Sequence, residues 1–193
     1  MTEAMAGQPV LTMSNVGVCF LRKRGFLKSQ KIWAVRDVSF DLKHGETLGV
    51  IGRNGVGKST ILKVMAGIMN PDAGVLTNYG GYSVSLLALQ VGFLPYLTGR
   101  ENVFLSGMLL GMAKKDVAEK LESIILFAEL DDAIDYPVRT YSLGMKARLG
   151  FAISFHADPD VLLIDEVLGV GDAQFRVKSA TAMRGKIRAN KTV

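Results

Sequence analysis

Between Val10 and Phe20 the chain reads VLTMSNVGVCF, a stretch that alternates apolar with polar positions and is rich in β-branched residues, so it predicts a β-strand. IWAVRDVSFDL at 32–42 predicts a second strand, and KHGETLGVIG at 43–52 a turn feeding a buried third. After Lys58 the period changes. STILKVMAGIM has apolar residues at helical spacing and stops before the turn residues of NPDAG at 70–74. From Gly99 to Ala128, RENVFLSGMLLGM and KKDVAEKLESIILFAEL place apolar residues three and four apart, which predicts an inserted helical unit. SLGMKARLGFAISFHA at 142–157 predicts another helix, interrupted by Pro159, and VLLID at 161–165 is a short apolar run of buried-strand type. DAQFRVKSATAMRGKIRAN at 172–190 predicts the last helix, and KTV opens a further segment. No internal repeat, low-complexity tract or long linker interrupts this order.

With 193 residues, 49% of them hydrophobic, the chain can fill one sizeable interior with a subdomain inserted. Its single cysteine, Cys19, has no partner for an internal disulfide, which fits a reducing compartment. The opening MTEAMAGQ lacks a signal pattern, and no apolar run approaches the roughly 18 residues a membrane span needs. A soluble protein is expected, reaching a membrane only through a partner. The net charge is +5 and unevenly spread: from Ala4 to Arg36 there is no acid, while Arg22, Lys23, Arg24, Lys28, Lys31 and Arg36 are basic. A solvated hairpin tip accounts for such a run, and a patch for anionic lipid or nucleic acid is the alternative.

Chemistry is concentrated at Gly52-Arg53-Asn54-Gly55-Val56-Gly57-Lys58-Ser59, which fits G-x-x-x-x-G-K-[ST] at every fixed position and lies between a predicted strand and helix. Glycines let such a loop curl with its N–H groups inward, and the helix start adds positive potential; Thr60 continues it. Lys58 is placed to reach the β- and γ-phosphates of a nucleoside triphosphate, and the Ser59 hydroxyl to ligate Mg²⁺. The strand VLLID ends in Asp165 and Glu166, at the edge where open α/β sheets hold ligands. Asp165 suits the Mg²⁺ shell, and Glu166 suits the general base that polarises an attacking water.

Tyr141-Ser142-Leu143-Gly144-Met145 starts the helix at 142–157. Ser142 is a candidate N-cap and Gly144 leaves the first turn open, so the hydroxyl and amides can face an anion. Since the Lys58 loop already supplies one phosphate site, a second such helix start points to a nucleotide held by another copy of the chain.

With the phosphate loop, YSLGM and IDEVLGVGD in this order, the chain resembles the ATP-binding subunits of ABC transporters from about Val10 to Val193. YSLGM stands where that family carries its signature motif, usually LSGGQ, with Leu143 in place of a glycine and Met145 in place of the glutamine. That ending, with LTGREN at 97–102 and DEVLGVGDAQF at 165–175, resembles the polysaccharide-exporter branch, which handles capsular polysaccharide, O-antigen or teichoic acid. The resemblance implies an α/β fold: a P-loop NTPase core of ABC ATPase type, with an N-terminal antiparallel β subdomain and an inserted α-helical subdomain. The core with its β subdomain would span 9–88, the helical signature subdomain 89–157, and the return to the core 158–193.

The resemblance also assigns roles. Asp172 matches the D-loop aspartate that contacts the other subunit, Phe20 is the candidate for stacking on adenine, and Gln90 lies near the glutamine that touches Mg²⁺ and attacking water. The family's switch histidine is expected beyond Val193, so the C-terminus looks truncated; neither His44 nor His156 sits where that residue would. The implied protein is an ATPase at the cytoplasmic face of the inner membrane. It forms a head-to-tail homodimer around ATP and Mg²⁺ and powers glycan export through a separate permease. The alternative is a non-transport ABC ATPase acting on nucleic acid or the ribosome, which a single phosphate loop disfavours. The apolar stretch GFLPYLTGRENVFLSGMLLG at 92–111 suggests a permease groove with Phe93, Leu94 and Tyr96 as contacts.

Overall fold

The computed structural model describes residues 7–24, 28–87, 92–165, 172–188 and 191–193. They form two compact units: the described residues up to Leu86 with Asp160–Asp165 and Ile187–Val193, and Leu87–Pro159 with the described part of 166–186.

In the first unit β1 (Pro9–Arg24) and β2 (Lys28–Lys43) pair along nearly their whole length, and β3 (Ala73–Asn78) joins β1 on its other side. Val10, Leu11, Met13, Val16 and Val18 of β1 are buried with Val35 and Leu42 of β2 and with Val64 and Met65 of α1 (Lys58–Met65). Alternation breaks near Asn15, where both ladders shift register. Gly74 has φ 75° there, and a β-carbon on it would collide with the carbonyls of Ser14 and Asn15, so only glycine fits that close approach.

A second, parallel sheet begins with β4 (Val84–Leu86) beside β5 (Val161–Leu163). Asp160 joins them at the start: its carboxylate accepts from Ser83 Oγ at 2.6 Å and from Ser83 N at 2.8 Å. Those bonds, the hydroxyl's first, hold the Asp160 carboxyl below its ordinary pKa. The sheet continues through the KTV segment, with Leu162 N donating to Thr192 O, Val193 N to Glu46 O and Leu48 N to Val193 O, the spacing of a parallel ladder. The buried strand expected within 43–52 forms only in this rudiment. Among the described residues the ladder stops at Leu48, and Ile51 is 97% exposed.

The second unit is helical: α2 (Gly99–Leu109), α3 (Lys114–Ala128), α4 (Leu143–Ala157) and α5 (Ala173–Arg188), the last counted here through Lys186. Val103, Val117, Ile124, Ile125, Leu149, Ala152 and Ile153 form its interior. The LTGREN stretch has a structural cause at several positions. Thr98 and Glu101 make a reciprocal capping box. Arg100 grips Asp135 through Nε and Nη2 at 2.8 and 3.2 Å. Asn102, wholly buried, donates to the carbonyls of Leu94, Leu97 and Thr98 and accepts from Leu94 N, which fixes the turn before α2.

Helices α3 and α4 each end on an acid in the left-handed region, Glu129 at φ 56° and Asp158 at φ 50°. An acid at a helix C-terminus opposes the macrodipole. Lysines from α5 offset both: Lys178 Nζ binds Phe127 O and Glu129, and Lys186 Nζ binds Phe155 O and Asp158.

Candidate functional site

The phosphate loop lies in the first unit, and its glycines show why the sequence needs them. Gly55 and Gly57 have φ 83° and 101°, and Gly57 is the residue from which α1 starts. A β-carbon on Gly57 would lie 2.5 Å from Ala34 O, so the loop is seated directly against β2. Lys58 folds back over it, with Nζ donating to Gly52 O at 2.9 Å and to Arg53 O at 3.1 Å. Gly52, Arg53, Asn54, Gly55, Val56 and Ser59 are exposed, and Thr60 is partly buried. The result is an open cradle of backbone floored by a lysine, which fits a polyphosphate.

Two further residues belong to the same unit. Asp165 follows β5 and the loop follows the 46–48 rudiment, and both segments run parallel to the residues at 192–193 between them. Both therefore emerge at the same edge of the sheet, where a cation bound by Ser59 and Asp165 would sit. Phe20 is 48% exposed and pairs with Ile32; it shares its face with Val18, whose partner Val35 touches the loop at Gly57. At 48% exposure its ring is not part of the core.

Ser142 and Gly144 lie in the second unit. Ser142 is the N-cap of α4, its Oγ accepting from Met145 N at 3.2 Å, and a β-carbon on Gly144 would meet nothing closer than Ser142 Oγ at 3.8 Å. Tyr141 anchors this start from inside, buried and donating from its hydroxyl to Ala133 O at 2.6 Å. Leu143 projects at 79% exposure. Asp172 caps α5, Oδ1 accepting from Phe175 N at 2.9 Å, and pairs with Arg148 of α4. The amide and then the guanidinium hold its carboxyl below the ordinary range.

Gln90 and Glu166 lie outside the described residues. Arg148 is the residue that pattern reading missed. Its signal was an arginine within the largely apolar run of α4, and its partner is 24 positions away. Of the apolar stretch at 92–111, Phe93 packs on the helical core, while Leu94 and Tyr96 are 50% and 78% exposed.

Known proteins resemble this chain along most of its length. The ABC transporter family profile matches residues 35–169. The O-antigen export system ATP-binding protein RfbB of Klebsiella pneumoniae is 43% identical over 194 residues, covering 92% of this chain and 78% of that protein. The teichoic acids export ATP-binding protein TagH of Listeria innocua serovar 6a is 45% identical over 166 residues, with 86% of this chain and 49% of that protein covered. Among solved structures, the dimeric post-hydrolysis state of the ATP-binding cassette MJ0796 bound to ADP and Pi superposes with TM-score 0.75 at 20% identity, over 94% of this chain and 84% of that one.

Proposed function

The chain belongs to the ABC transporter family, and from that membership we propose that it binds and hydrolyses ATP to power export of a polysaccharide or glycolipid through a separate permease. The observation that carries the ATPase reading is the cradle itself: left-handed glycines seated on β2, with Lys58 bonded to two loop carbonyls. The export reading is supported by the identity to the RfbB and TagH proteins over most of this chain. Among the described residues no helix is long and apolar enough to cross a membrane, and the proposed place of work is the cytoplasmic face, beside the permease.

In this reading Lys58 exchanges its carbonyl contacts for the β- and γ-phosphates, and the amides of 52–59 neutralise the rest of their charge. Phe20 offers its exposed ring to adenine. Ser59 and Asp165, with Gln90, would hold Mg²⁺, which when bound would supply positive charge against the phosphates. Glu166 takes the proton of the attacking water. Ser142 and Gly144 meet the nucleotide of a second copy in a head-to-tail homodimer, and Asp172 contacts that copy. The domain division is likewise a proposal: 9–88 and 158–193 as the nucleotide core, 89–157 as the helical part. Leu94 and Tyr96, already exposed, are its candidates for the permease.

Lys58→Ala should abolish binding of a fluorescent ATP analogue, and unchanged affinity would sink the nucleotide reading. Wild-type ATPase activity should rise in liposomes carrying the cognate permease and not with RNA. Stimulation by RNA alone would favour the non-transport alternative.

A further inference from the structure

We propose that the outer part of the β1–β2 ribbon is an arm that docks on an anionic membrane surface, a role separate from nucleotide binding. The pairing of β1 with β3 ends at Gly17, whereas its pairing with β2 continues to Arg24. Cys19 N is still tied to Asp72 at 2.7 Å; beyond it the ladder is two-stranded for about 15–20 Å at the rise of a β-strand. A two-stranded ribbon in water is marginally stable, and an apolar surface on one is a cost unless something covers it.

The apolar residues of this arm are on its surface. Leu21 and Trp33 are 69% and 40% exposed, and with Lys31 they share one face, because Cys19 pairs with Trp33 and Leu21 with Lys31. Trp33 lies over Gly17, where a β-carbon would meet its ring at 2.8 Å, and Arg36 stands 5.8 Å from the ring centroid. Phe20, the proposed adenine platform, is on the opposite face, so the two roles do not compete. Ile32, 39% exposed and paired with Phe20, lies on that opposite face and is no part of the patch.

Charge selects the occupant. The arm holds Arg22, Lys31 and, by sequence, Lys23, Arg24 and Lys28, and the nearest acid along the chain is Asp37, already paired with Arg36 at 3.6 Å. A cationic ribbon presenting an indole and Leu21 on one face matches the headgroup layer of an anionic bilayer: the indole seats at the interface, Leu21 enters the acyl boundary, and the bases meet lipid phosphates. Single-stranded nucleic acid would instead call for a row of stacking platforms, and on the face of Leu21 and Lys31, Trp33 alone among the described residues supplies one.

Trp33 is the only tryptophan of the chain, so it reports on the patch directly. The 193-residue chain without nucleotide is mixed with phosphatidylcholine vesicles containing or lacking phosphatidylglycerol. A blue shift of Trp33 emission, protection from acrylamide, and cosedimentation are expected with the anionic vesicles alone, and all should reverse in high salt. Lys31→Glu should lower partitioning about tenfold or more, since each basic residue near such a surface contributes about fivefold. Lys115→Glu, the same charge change on exposed α3, should leave it within about twofold. No shift or cosedimentation, equal loss in both variants, or a shift with a short RNA but not with vesicles each overturns the arm's assignment. ATP-analogue binding measured on the same preparations keeps that failure distinct from failure of the nucleotide reading.

Discussion

Arg148 Nη1 lies 3.1 Å from Asp172 Oδ2, so the helix that opens at Ser142 is joined by an ion pair to the turn that opens α5. The arginine side chain is 19% exposed and the aspartate 57%, which makes the pair lopsided. Removing Asp172 also removes the cap on Phe175 N, so Asp172→Ala should be destabilising as well. Arg148→Ala should cost about 1–2 kcal/mol, because its buried stem packs as well as pairs. The coupling between the two residues should be favourable and small, because solvent screens the aspartate. A double-mutant cycle in urea unfolding measures it, and strict additivity would mean the contact contributes nothing.

Gly57→Ala tests how tightly the cradle is seated on β2. The substituted residue would have to hold φ near 101° while its β-carbon pressed on Ala34 O and the Val35 side chain, so the loop must shift. Strain alone costs about 1–3 kcal/mol. Both stability and ATP-analogue affinity should fall. Gly185→Ala, with open space at its β-carbon in α5, should be neutral or stabilising, since it replaces glycine inside a helix.

The parts of the fold legible from sequence are those whose signal is local. Alternation in VLTMSNVGVCF finds β1, helical spacing finds α2 to α5, and the glycine–lysine spacing finds the phosphate cradle because all its groups fall within eight consecutive positions. β3 escaped notice because its place is set by β1 and its side chains show no two-residue alternation of burial. β4 has three residues, too few for any period. The predicted strand after His44 fails beyond Leu48, where backbone pairing among the described residues ends: apolar character alone does not make a strand without a ladder. Asn102 reads as a solvated helix residue, yet it is buried and saturated with hydrogen bonds to a turn that no periodicity describes. The Arg148–Asp172 pair needed the folded chain, since nothing local links positions on different helices.

His156 should make stability fall on acidification. Burial, opposed by the bond to Ala152 O and aided by Lys186 and Lys120, lowers its pKa below that of an unfolded histidine. Between those two values the unfolded chain binds the extra proton and the folded chain does not, so the contribution is present above about pH 6.5 and is lost as pH falls toward the folded pKa. Phe127 and Phe155 meet the ring edge-on at 5.7 and 5.4 Å, so His156→Phe keeps an aromatic ring there and removes the titration. Melting temperature plotted against pH should slope less steeply in that variant from neutrality down to the folded pKa. Parallel slopes would show that His156 protonates equally in both states.

Ser142 separates capping from gripping, because the two roles respond differently to the same substitutions. As the N-cap of α4 it holds Met145 N at 3.2 Å, and replacing a serine cap by alanine costs about 1 kcal/mol while asparagine preserves it. If capping were its whole role, Ser142→Asn would be silent and Ser142→Ala would lower stability without touching assembly. If Ser142 also meets the γ-phosphate bound to a second copy, ATP adds binding free energy across the interface and promotes dimers, whereas ADP does not. Ser142→Arg then places a long side chain at an exposed closing surface, so ATP binding by each monomer should persist while ATP-dependent dimers and hydrolysis vanish. Sedimentation of Glu166→Gln protein with ATP, carrying Ser142, Ser142→Asn or Ser142→Arg, is the measurement. Loss of dimers in the arginine variant, with monomer binding intact, supports a phosphate gripped in trans, and dimers of equal strength in all three would leave Ser142 a helix cap and nothing more.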